Sequence, residues 1–87
     1  MIKLKKDMKL STFFIFFEYI DSSIENNKKI YQSEFGFFAR ITPSSTGSMF
    51  QRFEEMGIIT KIKKNGRKVE WEITDYGDKI RKALLNK

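Results

Sequence analysis

The apolar positions divide the chain into segments of two different periods. From Asp7 to about Asn26 they recur every three or four residues. Leu10, Phe13, Phe14, Phe17, Ile20 and Ile24 make one stripe, which predicts a first helix, within residues 1–27, packed on a core and ended by Asn26-Asn27. A second apolar set on the same segment, Thr12, Ile15, Phe16 and Tyr19, covers much of the remaining surface. That is more hydrophobic area than one small core covers from one side, so this set, together with Leu84 and Leu85, is expected at a homodimer contact. The alternative is that the last helix of the same chain covers it.

Ile30-Tyr31-Gln32 is too short for an independent strand and is expected as a one-rung edge leading into a short helix that Ser33 caps. That helix runs to about Arg40, with Phe35, Phe38, Ala39 and Ile41 inward. Ile41-Thr42 then separates it from the stretch 43–56. There Thr42 suits the N-cap, Pro43 the first helical position and Gly57 the left-handed stop. Thr46, Met49, Phe50, Phe53 and Met56 fall on one side of this helix, and Ser44, Ser45, Ser48, Gln51, Arg52 and Glu55 on the other. Two helices joined so tightly cross at a steep angle, as in a helix-turn-helix over residues 33–57. The polar face begins in serines and ends in Gln and Arg, groups that hydrogen-bond base edges and phosphates, so it suits a recognition helix.

After Gly57 the period becomes 2. Two alternating runs, 58–64 and 67–73, flank Asn65-Gly66, the strongest short hairpin signal. A two-residue turn there pairs Lys64 with Arg67, Ile62 with Val69, Thr60 with Trp71 and Ile58 with Ile73. Ile62, Val69, Trp71 and Ile73 are then expected to point to the core, Lys61 to face Glu70, and Lys63, Lys64, Arg67 and Lys68 to crowd the tip. Like charges at an exposed turn repel one another, so an outside anion is a natural partner. Thr74 is expected to cap a last helix from Asp75 to about Asn86, with Tyr76, Ile80, Ala83 and Leu84 as its apolar stripe.

Composition narrows this picture. The 87 residues suffice for one domain, and 40% apolar content with nine Phe supports a small core. Without Cys or His the chain lacks a disulfide framework, a thiolate zinc site and the commonest general base. No enzyme, cofactor or metal is therefore expected. The serines of the central helix have no base beside them, and the carboxylates of Glu54-Glu55 and of Glu70 and Glu72 diverge or sit on a solvated face. Phe13 to Phe17, the longest apolar run, is five residues, where a membrane span needs about twenty. The basic start, Met1 to Lys9, lacks a following signal-peptide core, so the expected location is cytoplasmic, a host cytoplasm if the chain is viral.

The net charge of +6 is unevenly placed: residues 1–9 carry +3, 10–57 carry −2, 58–73 carry +3 and 74–87 carry +2. Positive charge thus gathers at the ends and in the hairpin, as expected for nucleic acid, an anionic surface or an acidic protein.

The order helix, short rung, helix, turn, helix, hairpin, helix resembles the winged helix-turn-helix fold, an α+β, mainly α class with a three-helix core, a two-stranded wing and an additional C-terminal helix. In detail it resembles the MarR-like and ArsR-like group of prokaryotic transcription regulators. The matching stretches are Ser33-Glu34-Phe35, Ile41-Thr42-Pro43-Ser44-Ser45, Phe50-x-x-Phe53-Glu54-Glu55-Met56-Gly57-Ile58-Ile59, Gly66-Arg67-Lys68 and Ile73-Thr74-Asp75-Tyr76-Gly77, within residues 30–80. The resemblance implies a homodimeric regulator that binds double-stranded DNA. It implies major-groove contacts from Ser44, Ser45, Ser48, Gln51 and Arg52, and contacts to backbone or minor groove from a wing over 61–70 that carries Lys61, Lys63, Lys64, Arg67 and Lys68. Two features depart from it: Gly47 inside the recognition helix, and only one basic residue on that helix. Most affinity is therefore expected from the wing and the N-terminal lysines through phosphate neutralisation. The rival expectation is a winged-helix interaction module that grips an acidic protein.

Overall fold

The computed structural model describes residues 10–66 and 68–87. In chain order its elements are α1 (Leu10–Glu25), α2 (Gln32–Ala39), α3 (Pro43–Glu55), β1 (Ile59–Asn65), β2 (Lys68–Ile73) and α4 (Asp75–Leu85). This is an α+β, mainly helical architecture whose layout is compatible with a winged helix. The predicted helical start at Asp7, the N-terminal lysines and Arg67 lie outside the described residues. Among the described residues no helix is long and apolar enough to cross a membrane.

An aromatic core holds the helices together. Phe13, Phe16 and Phe17 of α1, Phe35 of α2, and Phe50 and Phe53 of α3 are buried with Trp71 of β2. Phe16 stacks on Phe53 with ring centroids 3.8 Å apart, and meets Phe35 and Phe50 edge-on, both at 5.5 Å. The expected division of α1 into a core stripe and a dimer stripe is therefore corrected. Phe16 and Tyr19, expected at the dimer contact, are 0% and 5% exposed inside the chain's own core, whereas Leu10, Phe14 and Ile24, expected inside, are exposed. The cause is that α1 is covered on two sides, by α2 and α3 along Phe13, Phe16 and Tyr19, and by α4 at Asp21. The Tyr19 hydroxyl also donates to the Tyr31 carbonyl oxygen and accepts from the Tyr31 amide, each at 3.1 Å, tying α1 to the start of α2. Burial pushes the Tyr19 phenol up, so it stays a neutral donor.

Ser33 does not cap α2, which begins at Gln32 after Tyr31, two residues earlier than a Ser33 cap implies, with no side-chain cap. It ends at Arg40 in the left-handed conformation (φ 57°). Phe38, expected inward, is exposed. Gly36 lets α2 and α3 meet closely, since a Cβ there would lie 3.2 Å from the Ile41 carbonyl oxygen and 3.3 Å from Thr46 Cγ2. In α3, Thr46, Phe50 and Phe53 are buried and Gly57 (φ 79°) turns the chain into β1, as expected. Thr42 sits at the N-cap, but its hydroxyl donates to Ser45 Oγ at 3.0 Å and caps no amide.

The hairpin register differs from the expected one. Ile59 pairs with Ile73, Lys61 with Trp71, Lys63 with Glu70, Lys64 with Val69 and Asn65 with Lys68, with a shift between Lys61 and Lys63. Ile62 is the extra residue and stands 48% exposed instead of facing the core. Burying Ile59 and Trp71 together sets the register at the base of the hairpin one residue away from the expected one, and the bulge shifts the outer rungs by one more, so that Asn65 pairs with Lys68. The expected rung is present: Ile30 bridges Trp71, whose amide donates to the Ile30 carbonyl oxygen at 3.1 Å.

Thr74 caps α4 as expected, its hydroxyl oxygen accepting from the Gly77 amide at 3.0 Å. The helix is rotated from the expected stripe: Gly77 and Arg81 are buried, Ile80 and Leu84 half-buried, and Tyr76 and Ala83 exposed. A Cβ on Gly77 would fall 2.2 Å from the Ile58 carbonyl oxygen, so only glycine allows this approach, and Arg81 turns the same face toward Asp21.

Candidate nucleic-acid interface

The outward face of α3 carries the residues that the sequence singles out. Ser44, Ser45, Ser48 and Gln51 are exposed, and Arg52 is half-buried at the flank. At 100° per residue, Ser44 and Ser48 form the crest, with Gln51 and Arg52 on opposite shoulders. Arg52 shares a recess of about 490 Å³ with Ser45, Met49 and Thr12 of α1. Thr12, expected at a dimer contact, thus borders this face. Gln51 turns the other way, into a groove of about 390 Å³ between α3 and the hairpin, with Gln32, Glu54, Lys61 and Trp71.

The hairpin presents its lysines unequally. Lys61 leans back on the body of the protein, 3.9 Å from Glu54 and 5.6 Å from the Trp71 ring centroid. It does not meet Glu70, which pairs with Lys29 at 3.3 Å. Lys68 lies 5.3 Å over the Tyr31 ring. Lys63 and Lys64 are exposed, with no acidic partner among the described residues. Lys61 is therefore offset at the base of the hairpin, whereas Lys63 and Lys64 carry charge that no acidic group among the described residues offsets. Glu54 and Glu55 place negative charge at the C-terminal end of α3, offset at Glu54 by Lys61, while the N-terminal end of the helix favours an anion.

Two contributors went unrecognised in the sequence. Gln32 reaches the groove because the rung at Ile30 carries the start of α2 beside the hairpin, and Tyr31 receives Lys68 for the same reason. The short apolar stretch Ile30-Tyr31 was the available signal. Trp71 Nε1 is buried without a hydrogen-bond acceptor among the described residues, and nothing in the sequence announces that. Comparison with protein-family models, with curated proteins and with solved structures gives no match, so the reading of this face rests on its own geometry.

Proposed function

We propose that this chain is a winged helix-turn-helix protein that binds double-stranded DNA as a transcriptional regulator, with α3 in the major groove and the hairpin on backbone or minor groove. One observation carries the reading: Gln51 of the polar helix face and the base of the hairpin at Lys61 line a single groove, so the hydrogen-bonding helix lies beside an arm that carries the exposed Lys63 and Lys64 beyond it. Serine hydroxyls, an amide and a guanidinium suit base edges and phosphates, and uncompensated lysines suit a polyanion. Titration against random duplex at two salt concentrations tests it. Binding is expected to weaken with salt with a logarithmic slope of about −3, corresponding to roughly three neutralised phosphates. Absence of binding at low salt would overturn the proposal.

The same reading includes a homodimer. Its support is now Leu10, 70% exposed, and Phe14, 39% exposed, one helical turn apart on α1, in place of Phe16 and Tyr19. Ile15, Leu84 and Leu85 remain half-exposed and available to such a contact. Sedimentation at micromolar concentration checks it, with Phe14→Glu expected to yield monomer. A second reading, an interaction module in a larger assembly, draws on Phe37 of α2, which is 86% exposed. Retention of duplex binding by Phe37→Ser would leave DNA as the partner of α3.

A further inference from the structure

Ile62 is the residue that the hairpin does not use. The fold buries Ile58 and Ile59 completely, pairs Lys61 with Trp71 and Lys63 with Glu70, and leaves Ile62 between them as the extra residue of a bulge. A bulge leaves its extra residue outside the ladder and re-aims the side chain. At 48% exposure this branched apolar group stands at the basic arm, flanked in sequence by Lys61 and Lys63 and followed by Lys64. Neither core packing nor strand pairing calls for an isoleucine there.

Resting on the DNA reading above, we infer that Ile62 is the apolar contact of the hairpin with the floor of the duplex minor groove, and that it makes the arm favour A·T over G·C steps. The charge around it selects the occupant. A minor groove is a slot about 6 Å wide with a phosphate rail on either side and sugar C–H groups as walls. Lys63 and Lys64 beside one aliphatic group match that cross-section: their ammonium groups, exposed and without an acidic partner among the described residues, reach the rails and the aliphatic group enters the slot. An acidic protein surface would satisfy the lysines but offers no slot with C–H walls between two anionic rails. At A·T steps the floor carries only acceptors, whereas guanine adds an N2 amino donor. Ile62 cannot hydrogen-bond that donor and would strip its water, so guanine is penalised.

Inosine tests this directly, because it pairs with cytosine as guanine does, keeps the major-groove pattern and lacks the minor-groove amino group. The full chain is titrated against matched duplexes containing G·C or I·C pairs, with the wild type, Ile62→Ala and Ile62→Leu. The wild type is expected to bind the I·C duplex about fivefold or more tightly than the G·C duplex, the scale of one unsatisfied polar group. Ile62→Ala is expected to bring that ratio near one while keeping its salt slope and circular dichroism, and Ile62→Leu to restore the preference. A wild type indifferent to inosine, or an unchanged ratio in Ile62→Ala, overturns the inference while the DNA reading stands. No duplex binding at all overturns the DNA reading itself.

Discussion

Asp21 of α1 and Arg81 of α4, 60 residues apart in sequence, form a buried ion pair whose side chains are 10% and 11% exposed. Arg81 also donates through Nε and Nη2 to Asp78 Oδ1, at 2.9 and 2.8 Å, and Lys87 Nζ donates to Asp21 Oδ2 at 2.7 Å. Arg81→Ala would leave the Asp21 carboxylate with Lys87 alone and is expected to cost about 3 kcal/mol in denaturant unfolding.

The same network sets an acid limit. Burial opposes the charge on Asp21, but hydrogen bonds from Lys87 and Arg81 outweigh it and hold the carboxyl below the usual range, and Asp78 is held low chiefly by its hydrogen bond from Arg81. A carboxyl lowered in the folded state contributes stability that is complete above the unfolded pKa of about 3.9 and is lost as pH falls through the lower folded value. Stability is therefore expected to be flat from neutrality to about pH 5 and to fall below about pH 4. Asp21→Asn should lower the plateau and flatten that fall in thermal scans across pH.

Gly77 has no room for a methyl group, because the obstacle is the Ile58 backbone. Gly77→Ala is expected to destabilise by about 2 to 3 kcal/mol, despite the helical gain that alanine usually brings, through displacement of α4 from the hairpin base. A lower midpoint in urea would show it.

Gly47 predicts the opposite. A Cβ there meets only Gln32 Nε2, at 3.6 Å, which is ordinary contact. Gly47→Ala is thus expected to stabilise by about 0.5 to 1 kcal/mol through helix propensity. If duplex affinity falls while stability rises, the bare backbone at Gly47 approaches the DNA closely.

On the interface, Gln51→Ala or Arg52→Ala is expected to cost about 1 to 3 kcal/mol on a selected duplex and less on random DNA. Lys63→Ala or Lys64→Ala should weaken all duplexes by a similar factor and lower the salt slope by about one unit. Selection of bound duplexes from a random pool, repeated with each variant, compares the two. The division of labour fails if the lysine variants change the selected sequence while the α3 variants do not.

How far the sequence disclosed this structure depends on whether a local rule decided each feature. Pro43, Gly57 and Thr74 mark element ends through local chemistry of their own, and they lie where their residue types predict. Arg40 ends α2 in a left-handed conformation with no glycine to signal it. The face of α1 was undecidable locally because the helix is apolar nearly all round, and the burial of Phe16 in place of Phe14 is settled by Phe35, Phe50 and Phe53, distant in sequence. The hairpin register failed for a related reason: Asn65-Gly66 favours one turn, but the core holds Ile59 and Trp71 one residue out of that register and the bulge shifts the outer rungs by one more. For the candidate interface, the helical half was legible because its polar face follows from periodicity alone. Its junction with the hairpin through Gln32 was not.

The Ile58 carbonyl accepts from both the Thr74 amide and the Thr74 hydroxyl, and Ile30 holds the Trp71 strand from the other side, so the hairpin is fastened at its root, while Ile62, Lys63 and Lys64 of its first strand stand exposed. Residues that fold the chain and residues that meet its surroundings are thereby segregated along one strand pair. Substitutions at the outer positions can accumulate without eroding the fold, which makes this arm the quickest part of the molecule to acquire a new preference during divergence.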